Sequence, residues 1–143
     1  MTRVDRLIAI ARDVRERFLG FAVTPRDLAG VCGLASMHVA AAIGDPRVLR
    51  TGFYMRTVRF MGRRARLPHQ HAWCQIDATI VDPTATQFSR RNRAVHVAQA
   101  DEDGRYIETA DTTDAIDVIM NHWKGRREAE YRRLAACLRE MHA

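Results

Sequence analysis

Apolar positions in the first nineteen residues fall at helical spacing. Val4, Leu7, Ile8, Ala11, Val14 and Phe18 share one face, with Arg and Asp between them. The spacing predicts an amphipathic helix over residues 3–19 with a single buried stripe. The segment "GFAVTPRD" interrupts it. Thr24 is a good N-cap, Pro25 suits a first helical position and Asp27 a first turn, so a short helical turn is expected over 25–29. "GVCGLASMHVAAAIGDP" is apolar nearly all round, which predicts a helix over 32–43 buried on every side. Gly44 is placed as its C-cap, and Pro46 blocks continuation. Gly30 and Gly33 flank its start, where the backbone must turn sharply or come close to something.

The pattern then changes period. "TGFYMRTVRF" alternates apolar and polar residues as a strand does, and "GRRARLP" reads as an exposed loop. "HAWCQI" and "TIVDPT" form a hairpin about Asp77-Ala78. The usual two-residue turn wants Gly after the Asp, so Ala78 calls for another turn type. "AVHVAQA" and "RYIET", joined through "DEDG", are further short strands. Helices follow over 112–123, capped by Asp111 or Thr112, and over 126–141 after Gly125. With no repeat and no dividing linker, residues 1–143 are expected to form one α+β domain.

Composition narrows the class. An apolar fraction of 47% is that of a globular chain. No apolar run reaches the roughly 18 residues of a membrane span, and the charged N-terminus is not a secretory signal. A cytoplasmic protein is expected, or one exported without such a signal. Cys32, Cys74 and Cys137 are odd in number and irregular in spacing, a poor disulfide framework. The net charge of +6 rests on arginine, Lys124 being the one lysine. The positive charges read as spread along the chain, although "RTVRFMGRRAR" and "SRRNR" flank the hairpin and would make a positive rim if they shared a cleft.

The hairpin also carries polar groups that a core does not need. If Asp77 and Ala78 form its turn, Ile76 pairs with Thr79 and Trp73 lies opposite Asp82. His71 is then the diagonal neighbour of Asp82 on the Trp73 face, about 7 Å away at the backbone. That spacing suits a carboxylate accepting a hydrogen bond from an imidazole, which fixes its tautomer and favours its charged form. An oriented base needs a nucleophile, and Cys32 opens a helix whose N-terminus favours a thiolate. Backbone N–H groups at Cys32 and Gly33 would hold an oxyanion. Trp73 would wall the site and shield the His–Asp pair.

In order and spacing, "GVCGLA", "HAW" and "VDPT" resemble the three core motifs of the transglutaminase-like branch of the papain-like cysteine enzymes. The resemblance covers residues 28–88. It implies a papain-like fold, with a buried N-terminal nucleophile helix packed on a small antiparallel sheet and helices at the C-terminus. It also implies Cys32 as nucleophile, His71 as base and Asp82 as the third member. The chemistry implied is thiol-dependent acyl transfer on an amide without a cofactor or metal: protease, amidase or protein-glutamine deamidase, with transglutaminase as the alternative. Gly33 stands where many transglutaminases carry Trp, and Gln75 where the strand often carries an acid.

Other residues are expected in simpler roles. Cys74 faces away from His71 into the core, and Cys137 packs with Leu134, Ala135 and Leu138. His69 shares the parity of His71, as a rival base, a substrate contact or a solvated strand end. A metal site of His69, His71, Cys32 and Asp82 lacks a zinc spacing. His38, His96 and His122 read as surface or satisfied core residues. The expected partner is a protein or peptide substrate, an acidic one if the arginine-rich stretches share a cleft, with no membrane. The non-enzymatic alternative is a basic domain binding nucleic acid or an acidic protein, but its aromatics are not interleaved with the arginines.

Overall fold

A computed structural model describes residues 1–18, 31–88, 94–109, 115–123 and 127–142. The expected turn at 25–29, Gly30, "SRRNR", the caps at Asp111 or Thr112, and Gly125 lie outside the described residues. The chain is α+β. Helices α1 (Arg3–Phe18) and α2 (Cys32–Ile43) precede strands β1 (Leu49–Phe60), β2 (Arg63–Ile76), β3 (Thr79–Asp82), β4 (His96–Gln99) and β5 (Tyr106–Glu108). Helices α3 (Ala115–Trp123) and α4 (Glu128–His142) follow. The strands form one antiparallel sheet in the order β4-β3-β2-β1-β5. No helix among the described residues is long and apolar enough to cross a membrane.

Helix phase and strand parity together place the core. Leu7, Ala11 and Val14 of α1 are buried, as are most residues of α2 and Tyr131, Leu134, Ala135 and Leu138 of α4. They pack with Ala72, Cys74, Ile76 and Val81 on one face of the sheet. Tyr54, Trp73, Ile80 and Tyr106 make a second cluster from the alternate positions. Gly44 ends α2 in the left-handed region (φ 78°), its N–H reaching Ala40 O and Ala41 O. Cys137 lies about 100° around the helix from Leu138, off the stripe at 131, 134, 135 and 138. It is exposed, which corrects the expectation that it packs there.

The largest departure from the sequence reading is at "GRRARLP". Arg63 to Pro68 belong to β2, and β1 and β2 form a long hairpin in continuous register from Leu49↔Cys74 to Phe60↔Arg63. Met61 and Gly62 both take positive φ (52° and 76°), as the tight mirror-image hairpin turn requires. At Asp77-Ala78 only Asp77 does so (φ 51°), and the different turn type expected from Ala78 is what forms there.

Gly52 fixes the other edge. It pairs with His71 on one side and Glu108 on the other. A Cβ at Gly52 would lie 2.0 Å from Ile107 O, so β5 reaches β1 only because residue 52 has no side chain.

Candidate active site

The register places Ile76 opposite Thr79 and Cys74 opposite Val81. Asp82 then ends β3 at the level where His71 can reach it. His71 Nε2–H donates to Asp82 Oδ2 at 2.6 Å, and both side chains are fully buried. The same oxygen accepts from Tyr106 Oη at 2.7 Å. Oδ1 accepts from the Thr84 amide at 2.9 Å and from Thr84 Oγ1 at 3.3 Å. The Arg15 guanidinium bonds the neighbouring Pro83 carbonyl at 2.9 Å. Asp82 is thus a buried anion with donors on both oxygens, the condition under which a buried charge is tolerated.

The electrostatics follow from these contacts. Burial pushes the Asp82 carboxyl up, but the His71 charge, the His71 and Tyr106 hydrogen bonds and the Thr84 amide outweigh it and hold it below the usual range. Burial pushes His71 down. The Asp82 charge and hydrogen bond, together with a hydrogen bond to and the charge of Cys32, raise it to about 10. With Nε2 committed to Asp82, Nδ1 is the ring nitrogen left for the Cys32 thiol. Tyr106 rises well above an ordinary phenol through its own burial and through Asp82, so it stays a donor.

Cys32 is the first residue of α2 and is 1% exposed. No side chain caps the helix at Val31. The Ala35 N–H makes the first helical bond, to Val31 O, and of the N–H groups before it, which have no intrahelical partner, that of Leu34 donates to Tyr131 Oη at 3.1 Å. The amides of Cys32 and Gly33 remain beside the thiol, and Gly33 is itself buried. Tyr131 lies close enough to Cys32 that the thiol's charge, after burial, is a cause of its raised pKa.

Trp73 stands beside His71 with ring centroids 6.1 Å apart, and its Nε1–H donates to Gln75 Oε1 at 3.2 Å. Three aromatics that the sequence did not mark complete the enclosure. Phe88 meets His71 edge-on at 4.9 Å and stacks on Tyr54 at 4.0 Å. Tyr54 and Tyr106 stand 6.1 and 6.2 Å from His71. A further layer holds these rings. Arg105 donates to Tyr54 Oη at 3.1 Å and is clamped by Asp103, while His96 bonds Asp103 and stacks on Tyr106.

The remaining candidates sort themselves by contact. His69 shares the face of His71 but does not join the His71–Asp82 pair. Its Nε2 is buried without a hydrogen-bond partner among the described residues, and burial, then Arg56 and His71, lower its pKa. Cys74 donates to Ser36 O at 3.4 Å in the core, and burial pushes its thiol far up. His38 bonds Glu130, joining α2 to α4. Among the described residues, no group of three or more His, Cys, Asp or Glu is disposed to hold a metal ion.

Of the groups missed in sequence, Thr84 had a local signal. It sits two residues past Asp82, where an Asx turn returns a backbone N–H to the carboxylate. Tyr106 and Tyr131 had none, because they reach Asp82 and Leu34 from 24 and 97 residues away. No protein-family model, no curated protein and no solved structure matches the chain.

Proposed function

We propose that the protein is a cysteine enzyme of the papain-like, transglutaminase-like kind that transfers an acyl group from an amide. The observation that carries this reading is the buried His71–Asp82 pair, hydrogen-bonded at 2.6 Å, with Cys32 close enough to the same imidazole to help raise its pKa. A purely structural pair has no need of a thiol at a helix N-terminus on its third side.

The chemistry runs in two halves. The Cys32 proton passes to His71, and Sγ attacks the amide carbonyl carbon to form a C–S bond. The oxygen takes the negative charge beside the Cys32 and Gly33 amides. The C–N bond then breaks as His71 gives its proton to the leaving nitrogen, and a thioester remains on Cys32. Water, deprotonated by His71, attacks the thioester, and the carboxylic acid leaves as the thiol is restored. An amine in place of water would give transamidation by the same steps. Asp82 holds the imidazolium throughout without taking its proton. Hydrolysis is the reading proposed, with transamidation as the alternative.

The test is an activated acyl donor. Mixed with a 4-nitrophenyl ester, the protein should release nitrophenolate in a burst matching its concentration and carry the acyl mass on Cys32. Cys32→Ser and His71→Ala should lose the burst. A burst that persists in Cys32→Ser would overturn the assignment.

A further inference from the structure

The chain's excess charge has one address. Between Pro46 and Ile76 there are seven arginines and no acidic residue; the whole chain is at +6, so the other residues together come to −1. The charge therefore does not spread evenly along the chain. It rides on the β1–β2 hairpin, where Arg56, Arg59, Arg63, Arg64 and Arg66 are all exposed.

The same arm has an open edge. β5 pairs with β1 only at Gly52 to Tyr54, followed by one bond from the Met55 amide to Arg105 O. Beyond that point, among the described residues, no strand pairs with β1 on this side. Backbone groups alternate along a strand, so the N–H and C=O of Thr57 and Arg59 point the same way as those of Met55, outward. A groove of about 340 Å³ lies along this edge, lined by the consecutive residues Tyr54 to Val58 together with Phe88 and Arg105. Phe88 and Tyr54 are also the rings that enclose His71. On the His71 face, cross-strand parity places Arg56 opposite Leu67, Val58 opposite Ala65 and Phe60 opposite Arg63. Cations there alternate with apolar positions.

We propose that the open edge of β1 beyond β5 binds an extended acidic segment of a polypeptide substrate. The segment adds to the sheet in line with β5, and its adjoining amide is presented to Cys32. The amide follows from the acyl-transfer reading, on which that half of the proposal rests. Three observations support the docking: an exposed strand edge is a template for a further strand, the exposed arginines of the arm pair with no acidic side chain among the described residues, and the groove shares two rings with the enclosure of His71. A nucleic acid would need stacking rings among the arginines, and the arm offers only Phe60 near its tip.

The experiment measures binding to the Cys32→Ser protein, so it does not depend on catalysis. The probe is a fluorescein-labelled peptide of alternating Glu and Val, followed by anisotropy. Methylating alternate peptide amides should weaken binding about tenfold, as should Arg56→Glu on the His71 face. Arg64→Glu, on the other face, should change it no more than about twofold. Equal binding of a Lys-for-Glu peptide, or indifference to amide methylation, would overturn the proposal. So would equal losses from Arg56→Glu and Arg64→Glu, or tighter, Arg56-dependent binding of a short DNA duplex or of phosphatidylserine vesicles. A docking failure leaves the ester burst on Cys32 standing, and a burst failure leaves the docking result standing.

Discussion

Asp82→Asn exchanges one carboxylate oxygen for an amide NH₂ at nearly constant shape. Oδ2 accepts from His71 and Tyr106, and Oδ1 from the Thr84 amide and hydroxyl. The new amide has one oxygen, so whichever way it turns its NH₂ confronts the N–H of His71 or of Thr84. One buried donor is left unmet, at about 1–3 kcal/mol. The charge is also lost. His71 is raised from 6.5 to about 10 despite its burial, with Asp82 the principal raising cause. Breaking one side of a buried pair typically costs about 3–5 kcal/mol, and that loss is expected at pH 6.

The pH dependence gives the sharper reading. The folded pKa of His71 lies above its unfolded value, so its contribution is complete below 6.5 and fades as pH rises toward 10. The folded pKa of Asp82 lies below its unfolded value, so its contribution is complete above about 3.8 and fades as pH falls. The gap in urea stability between parent and Asp82→Asn should therefore be widest between about pH 4 and 6.5 and narrow toward pH 10, to the about 1–3 kcal/mol of the unmet donor. Taking the difference cancels the other titrating groups. A gap that is flat from pH 6 to 10, or below about 1 kcal/mol at pH 6, would refute the reasoning.

Three further outcomes are expected. Tyr131→Phe strands the buried Leu34 amide, costing about 1–3 kcal/mol, and should slow the nitrophenyl ester burst; a variant with an unchanged burst would detach Tyr131 from the site. Gly52→Ala forces a methyl into the Ile107 carbonyl and should lower stability by about 3 kcal/mol while perturbing the near-ultraviolet dichroism of Tyr106; a thermal melt within about 1 kcal/mol of the parent would contradict the close approach of β5. Cys74→Ala should cost about 1 kcal/mol through lost packing with the burst intact, and a weakened burst would mean that Cys74 belongs to the site.

What the sequence disclosed was local. The Asp77-Ala78 turn set the register, and parity then brought His71 to Asp82. The apolar run of α2 announced a buried helix with Cys32 at its start, and Gly44 and Pro46 marked its end. The arm at Arg63 to Pro68 was not legible because it projects past β5 and buries little, so no period-2 apolar signal is imposed on it. Only the Met61-Gly62 turn hinted at it. Tyr54, Phe88, Tyr106 and Tyr131 were illegible for the opposite reason. Each is an ordinary aromatic in its own stretch, and its role is set by partners far along the chain. Cys137 was misplaced because neighbours in sequence were taken as neighbours in space, whereas helix phase turns it outward. The arginine count could be read at once, but its concentration on one hairpin took the strand pairing to see.

The central claim is that the buried Asp82 carboxylate holds His71 as an imidazolium beside Cys32. Nitrogen-15 NMR of the histidine ring nitrogens, with His71→Ala to assign the signal, follows that charge directly across pH 5 to 9. The His71 imidazolium should persist at pH 8 in the parent and be lost at that pH in Asp82→Asn. A His71 signal that titrates near 6.5 in parent and Asp82→Asn alike would contradict the claim.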